Sequence, residues 1–392
     1  MKVSGGDEQR GHREIVTGGT ASPGLAIYLH IPFCRTKCSY CDFNTYAGLE
    51  DQVPRYVRAL CAEVRSCPAG MGVATLNFGG GTPSLLPASE LEAIIGTCRD
   101  HFSLAADAEI SLEANPDDAS ESYFATIRSL GVNRVSFGAQ SFHAAELKML
   151  TRRHTAQAAL NAVAMARSAG LRNINLDLMY GLPGQSLAAW RENLEVALAS
   201  RPEHLSLYAL TVHEGLPLAA GIARGTFPTP DDDLAAEMYE LAEGMAASAG
   251  YEQYEISNWS LGGNFPCRHN LAYWRNTGYL GLGAGAHSYF QAQRSSNECS
   301  PATYADRLLS GHSAMVWREP IGLKLQRAET AILGLRLNEG CDLLPEELDR
   351  LTACLDAGLL DVQASHVRLT AKGRLLSNEV FWRLLPEDDA PH

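Results

Sequence analysis

From Ala26 to about Ser260 the chain alternates between two hydrophobic patterns. Short apolar runs read as strands: "AIYLHIP", "VATLNFGGG", "EISLEANP", "NRVSFGAQS", "NINLDLMYGLPG" and "HLSLYALTV". Between them lie "VPRYVRALCAEVRSC", "SELEAIIGTCRDHF", "ESYFATIRSLG", "AQAALNAVAMARSAG" and "SLAAWRENLEVALAS", where apolar residues return at helical spacing. A sixth helical pattern, "DDDLAAEMYELAEGMAASAG", follows the last strand. A strand and then a helix every 30 residues or so, roughly, predicts parallel βα units wound by right-handed crossovers into a barrel or an open sheet. The class is α/β, and six units fall short of the eight that close a barrel.

Polar residues and glycines gather where these strands end. The stretches are "GGGTP" at 79–83, "EANP" at 113–116, "GAQS" at 138–141 and "DLMYGLPG" at 177–184. Ordinary βα turns favour the same residue types. Several of them on the rim where a parallel barrel builds its site, together with a cysteine-rich loop, favour a site.

Beyond Ser260 the pattern changes to "CRHNLAYW" and "GYLGLGAGAHSY", rich in glycine and aromatics. From about Gln326 come short helical patterns, then "VQASHVRLT", which reads as a hairpin, and "KGRLLSNEVFWRLL", which reads as a last helix. The organisation expected is a disordered tail over 1–24, a barrel over 25–260, a connecting segment over 261–324, and a small helical, winged-helix-like domain over 325–392. The tail is polar and glycine-rich, without the apolar core of a signal peptide.

Charge and cysteine content narrow the function. The net charge of -13 gives no global pull toward nucleic acid, so the last domain is expected to pack on the barrel and not on DNA. With no apolar run of about 18 residues, no integral membrane segment is expected. Ten cysteines without an export signal suggest a reducing cytoplasm and a chemical use for some of them.

That use centres on "HIPFCRTKCSYCDF", which sets Cys34, Cys38 and Cys41 within eight residues as C-x3-C-x2-C. Three thiolates cannot close a tetrahedral zinc site. They can hold three irons of a [4Fe-4S] cluster and leave the fourth open to a substrate ligand. An amino and a carboxylate group, as in S-adenosylmethionine, can chelate an open iron. Other readings are three unrelated thiols, or zinc completed by His30.

The C-x3-C-x2-C spacing resembles the signature of the radical S-adenosylmethionine superfamily. "YLHIPFC" before it, and "NFGGGTPS", "EANP", "RVSFGAQSF", "RRH" and "DLMYGLPGQ" after it in order, resemble its coproporphyrinogen-III-oxidase-like branch. The resemblance covers nearly the whole chain from Ile27 and implies a partial (β/α)6 barrel. It implies that Cys34, Cys38 and Cys41 ligate the cluster and that Tyr28 lies against the cofactor. Tyr40 would pack on the adenine, and Gly80, Gly81 and Thr82 would receive the methionine amino group. Glu113, Gln140 and Asp177 would bind amine and ribose hydroxyls, and Arg152 would pair with the methionine carboxylate.

Within that branch the chain is similar to the HemW-type heme chaperones. The other main function there is an oxygen-independent coproporphyrinogen III dehydrogenase, which typically has a further cysteine just past the third and a long N-terminal arm. Here the stretch reads Asp42, Phe43, Asn44, and only about 25 residues precede the first strand. "HNLAYW", His269 to Trp274, matches the H-N-x-x-Y-W motif associated with heme binding in HemW. On a helix His269 and Tyr273 share a face. An imidazole can ligate heme iron and aromatic rings can stack on the macrocycle. Taken without the resemblance, His269 would cap a turn while Tyr273 and Trp274 fill the core; His287 is a second candidate ligand. The resemblance implies a heme chaperone holding a [4Fe-4S] cluster, S-adenosylmethionine and heme, and delivering heme to an unknown acceptor protein. An active coproporphyrinogen oxidase is the alternative, and a regulatory iron-sulfur protein with no use for S-adenosylmethionine fits the glycine loop least.

Overall fold

The computed structural model describes residues 24–118 and 120–386, so the expected tail lies outside them but for Gly24. Six strands, β1 (Leu25–Ile31), β2 (Gly72–Gly80), β3 (Ser103–Ala114), β4 (Arg134–Gln140), β5 (Ile174–Tyr180) and β6 (His204–Ala209), pair in parallel in sequence order. The crossover helices are α1 (Val53–Ser66), α2 (Ala88–His101), α3 (Glu121–Ser129), α4 (Ala156–Ser168) and α5 (Leu187–Ala199), and α6 (Asp232–Ser248) follows β6. These are the six units read from the hydrophobic pattern. Several helices start on a side chain that accepts from an otherwise unpaired backbone N–H: Ser120, Thr155, Ser186 and Asp231.

Alternation along the strands sorts their side chains. Leu76, Phe78, Leu112, Val135, Phe137, Leu176, Leu178, Leu205 and Leu207 point outward into one apolar core with Leu60, Ile94, Phe124 and Trp190 of the helices. Each such side chain stabilises the fold by about 1.5–3 kcal/mol. The inward positions are different: Asn77, Ser111, Glu113, Arg134, Ser136, Asn175, Asp177 and Ser206 line a cavity. A closed eight-stranded barrel fills this space with branched apolar residues; here it is polar and hollow.

The sheet runs on past both ends of the six. A hairpin of β7 (Tyr251–Glu255) and β8 (Asn258–Leu261) adds antiparallel strands beside β6. The stretch 261–324, expected as the heme-motif and connecting segment, holds the short helix α7 (Arg268–Trp274), a helix over Pro301–Leu309 and four more strands. β9 (Tyr279–Leu282) lies parallel to β1, and β10 (His287–Phe290), β11 (Gln293–Asn297) and β12 (Met315–Pro320) continue as an antiparallel meander. The glycine-rich β9 shows no strand pattern because its backbone is crowded: a Cβ on Gly281 would sit 2.0 Å from the His287 carbonyl oxygen. The resulting sheet of twelve strands ends on β12 and β7, so the barrel stays open.

The last module has its own core, built on Leu335, Leu351, Val367, Val380 and Leu384. A three-stranded sheet of Cys341–Asp342, Leu360–Gln363 and His366–Leu369 packs with the helices Leu323–Leu335 and Ser377–Leu384. It is held to the barrel by Asn338 Nδ2, which donates to the Gln253 carbonyl at 2.7 Å, and by the Arg374–Glu243 ion pair. Among the described residues no helix is long and apolar enough to cross a membrane.

Candidate functional site

The cysteine loop leaves the end of β1 and is fastened at several points. Phe33–Cys34 pairs with Tyr46–Ala47, closing the loop on itself. Ser39 Oγ donates to the Met149 carbonyl at 2.8 Å, and the Ser39 carbonyl accepts from the Leu218 N–H at 3.0 Å. At its far end Asn44 Nδ2 donates to the carbonyls of Ala284 and Cys299 at 3.0 and 2.9 Å. Fixing a loop costs about 1–2 kcal/mol of backbone entropy per residue, which these bonds offset. Gly81 explains part of "GGGTP": a Cβ there would lie 2.7 Å from the carbonyl oxygens of both Ile31 and Phe33, so only glycine lets β2 meet the loop.

The three thiols lie near enough that ionised Cys38 and Cys41 would raise the pKa of Cys34, after burial. Thr82 Oγ1 donates to Cys34 Sγ and Arg152 Nη1 to Cys38 Sγ, both at 3.4 Å. Donors aimed at sulfur suit thiolates bound to iron. Among the described residues no three His, Cys, Asp or Glu side chains converge closely enough to hold a single metal ion. His30 is engaged elsewhere: its Nε2 donates to the Asn44 carbonyl and its Nδ1 accepts from the Tyr28 hydroxyl, both at 2.9 Å.

Beside the loop opens the barrel cavity, of about 410 Å³, a size suited to a nucleoside-sized ligand. It brings together Tyr40 and Cys41 from the loop, Gly80, Gly81, Thr82, Glu113, Gln140 and Asp177 from β2 to β5 and the turn after β2, and Arg152 from the segment before α4. Arg152 donates to the Gly138 carbonyl at 2.5 Å and to Asn115 Oδ1. Its Nε is shielded from solvent without a partner among the described residues, a donor waiting for an acceptor such as a carboxylate. The rest of "RRH" turns away: Arg153 pairs with Asp117 and Asp118 at 2.8 and 2.6 Å, and His154 Nε2 bonds the Ala139 carbonyl at 3.0 Å.

Glu113 and Asp177 give the cavity its charge. Burial, then the neighbouring Asp177 carboxylate, push the Glu113 carboxyl up to about 7, against one hydrogen bond from the Gly80 N–H at 3.2 Å. Asp177 is raised by burial and held by Ser136 Oγ at 2.9 Å and Asn175 Nδ2 at 2.7 Å. Two carboxyls on an interior wall suit a cationic ligand, as a sulfonium is. A cation favours the ionised form of Glu113, so its binding is expected to strengthen as pH rises through 7. S-adenosylmethionine should bind about tenfold more weakly at pH 6 than at pH 8, and Glu113→Gln should flatten that dependence. A titration with equal slopes in the two proteins would show that Glu113 does not meet the ligand's charge.

Two expected residues stand elsewhere. Tyr28 does not line this cavity but a second one beside it, of about 480 Å³, which shares the wall residues Phe43, Gly80 and Glu113. His269, the first residue of the heme motif, is fully enclosed on α7. Its Nδ1 lies 2.7 Å from Thr75 Oγ1 and its Nε2 2.9 Å from the Tyr273 hydroxyl. Burial lowers its pKa to about 3, so the ring is neutral. Glu109 caps the start of α7, accepting from the N–H groups of Arg268 and His269 at 3.1 and 3.0 Å. In this arrangement neither nitrogen of His269 is open to an iron, because strand β2 and Tyr273 occupy both. Trp274 lies under the Arg336 guanidinium at 4.3 Å.

The sequence reading passed over Asn115, Arg134, Ser136, Asn175 and Ser206, all on the cavity wall. Their signal was present: Arg134, Ser136, Asn175 and Ser206 are polar residues at inward positions of strands whose other face is apolar, and Asn115 directly follows β3.

A partial barrel with a three-cysteine loop at its mouth defines a class, and residues 28–197 match the family described as Radical SAM superfamily. A solved structure described as coproporphyrinogen III oxidase (HemN) from Escherichia coli, a radical SAM enzyme, superposes with a TM-score of 0.81 over 93% of this chain and 91% of that one. At 24% identity that likeness shows the fold alone. Closer in sequence are relatives named heme chaperone HemW. The one from Mycobacterium tuberculosis is 40% identical over 93% of this chain and 97% of the relative. The one from Bacillus subtilis is 35% identical over 92% and 99%. The chain belongs to the HemW family.

Proposed function

We propose that this protein is a heme chaperone of the cytoplasm that binds heme and passes it to an acceptor protein. Cys34, Cys38 and Cys41 hold a [4Fe-4S] cluster, and the barrel cavity takes S-adenosylmethionine against its open iron. In that site Arg152 pairs with the methionine carboxylate, Glu113 and Asp177 with amine or ribose groups, and Tyr40 packs against the adenine. Gly80, Gly81, Thr82 and Gln140 complete the rim. A reduced cluster of this kind supplies one electron to the bound sulfonium. The chain's own residues orient the ligand and keep water from it.

The observation that carries the chaperone reading over the dehydrogenase is Phe43. It stands where the dehydrogenase typically has its further cysteine, and it is an apolar ring, 64% exposed, on the wall between the two cavities. An exposed phenyl beside a cavity is a docking face for a flat apolar ligand. The test is to offer anaerobic, reconstituted protein both heme and coproporphyrinogen III. About one heme per chain is expected, with no formation of protoporphyrinogen IX. Steady turnover of coproporphyrinogen III would reverse the choice.

A further inference from the structure

The second cavity has features that the barrel site does not use. His287, on β10, and Cys299 both line it and both are exposed, so two side chains with affinity for iron face one space. The Cys299 backbone is fixed, since its carbonyl accepts from Asn44 Nδ2 at 2.9 Å and from the Tyr46 hydroxyl at 3.2 Å. Opposite stand Tyr273 and Tyr279, packed edge to face with ring centroids 4.7 Å apart. Phe43 adds a further ring.

Resting on the reading that heme is the cargo, we propose that heme docks in this second cavity with His287 as its iron ligand and with Cys299 on the cavity wall. Charge sets the orientation. Asp42 and Glu113 line the cavity and no lysine or arginine does, so the macrocycle's carboxylates face outward and its apolar edge enters. Lys37, whose Nζ donates to the Phe43 carbonyl at 3.4 Å, stands beside that wall as a cation for a carboxylate. His269 then acts as a positioning residue: its Nε2 holds the Tyr273 hydroxyl, and through it the aromatic wall, at 2.9 Å. Because the two cavities share Phe43, Gly80 and Glu113, bound heme stands next to the S-adenosylmethionine site.

The experiment is a hemin titration of full-length, cluster-loaded wild type, His287→Ala and Cys299→Ser, followed by the Soret band. His287 is exposed, so its replacement leaves the core intact; unchanged iron-sulfur content confirms this for each variant. His287→Ala is expected to bind hemin about tenfold more weakly or worse, with a shifted Soret band that added imidazole restores. Cys299→Ser, which keeps His287, is expected to retain the band position with a smaller loss of affinity. Hemin affinity and Soret position in His287→Ala equal to those of wild type would overturn the ligand assignment while heme carriage stands. A wild type that takes up no hemin would instead bring down heme carriage itself.

Discussion

Cys38→Ala protein, reconstituted anaerobically with iron and sulfide, is expected to hold no [4Fe-4S] cluster, where wild type is expected to carry about four irons and four sulfides. Two remaining thiolates leave two irons without protein ligands. Cys38 also receives Arg152 Nη1 at 3.4 Å, so its loss leaves a guanidinium facing a void. Cys34→Ala and Cys41→Ala should behave alike. Cys61→Ala and Cys98→Ala are the controls: both thiols lie in the apolar core, away from the loop, and iron content should stay near the wild-type value. Iron and sulfide at full stoichiometry in the Cys38 variant would sink the cluster assignment.

The second large effect is expected from Arg152→Ala, which should weaken S-adenosylmethionine binding by about 10- to 100-fold while keeping the cluster. Charge-assisted hydrogen bonds are worth roughly 1.5–3 kcal/mol, and Arg152 lines the cavity with its shielded Nε unpartnered among the described residues. The readout is the perturbation of the reduced cluster's electron paramagnetic resonance signal on adding S-adenosylmethionine. Arg152→Lys should recover little, because an ammonium cannot reproduce the fork that also holds the Gly138 carbonyl and Asn115. An unchanged midpoint in Arg152→Ala, with the cluster loaded, would remove Arg152 from the site.

Much of the barrel was legible because strand and helix periods are local. The six apolar runs became β1 to β6, and the outward faces carry the residues that the runs displayed. The rim was legible for the same reason: "GGGTP", "EANP" and "DLMYGLPG" end strands that lie side by side, so their residues meet in one cavity. The heme motif was legible as a helix, yet its ligand role was not. Whether His269 is free depends on Thr75, 194 residues away in sequence, which takes one of its nitrogens.

By itself, then, the sequence determined the βα repeat, the three-cysteine loop, and the hairpin and last helix of the final module, since each follows from spacing within a few dozen residues. Tertiary structure alone decided that 279–320 extends the sheet beside β1 and that Asn44 ties the cysteine loop to Ala284 and Cys299. It also decided which histidine is enclosed and which is exposed: His269 lies inside the barrel, and His287 faces the cavity that this extension completes. The physical reason is that hydrophobic period tells which side of an element is buried, but not which distant segment covers it. Only the packed chain fixes the second partner of each ring, carbonyl and thiol.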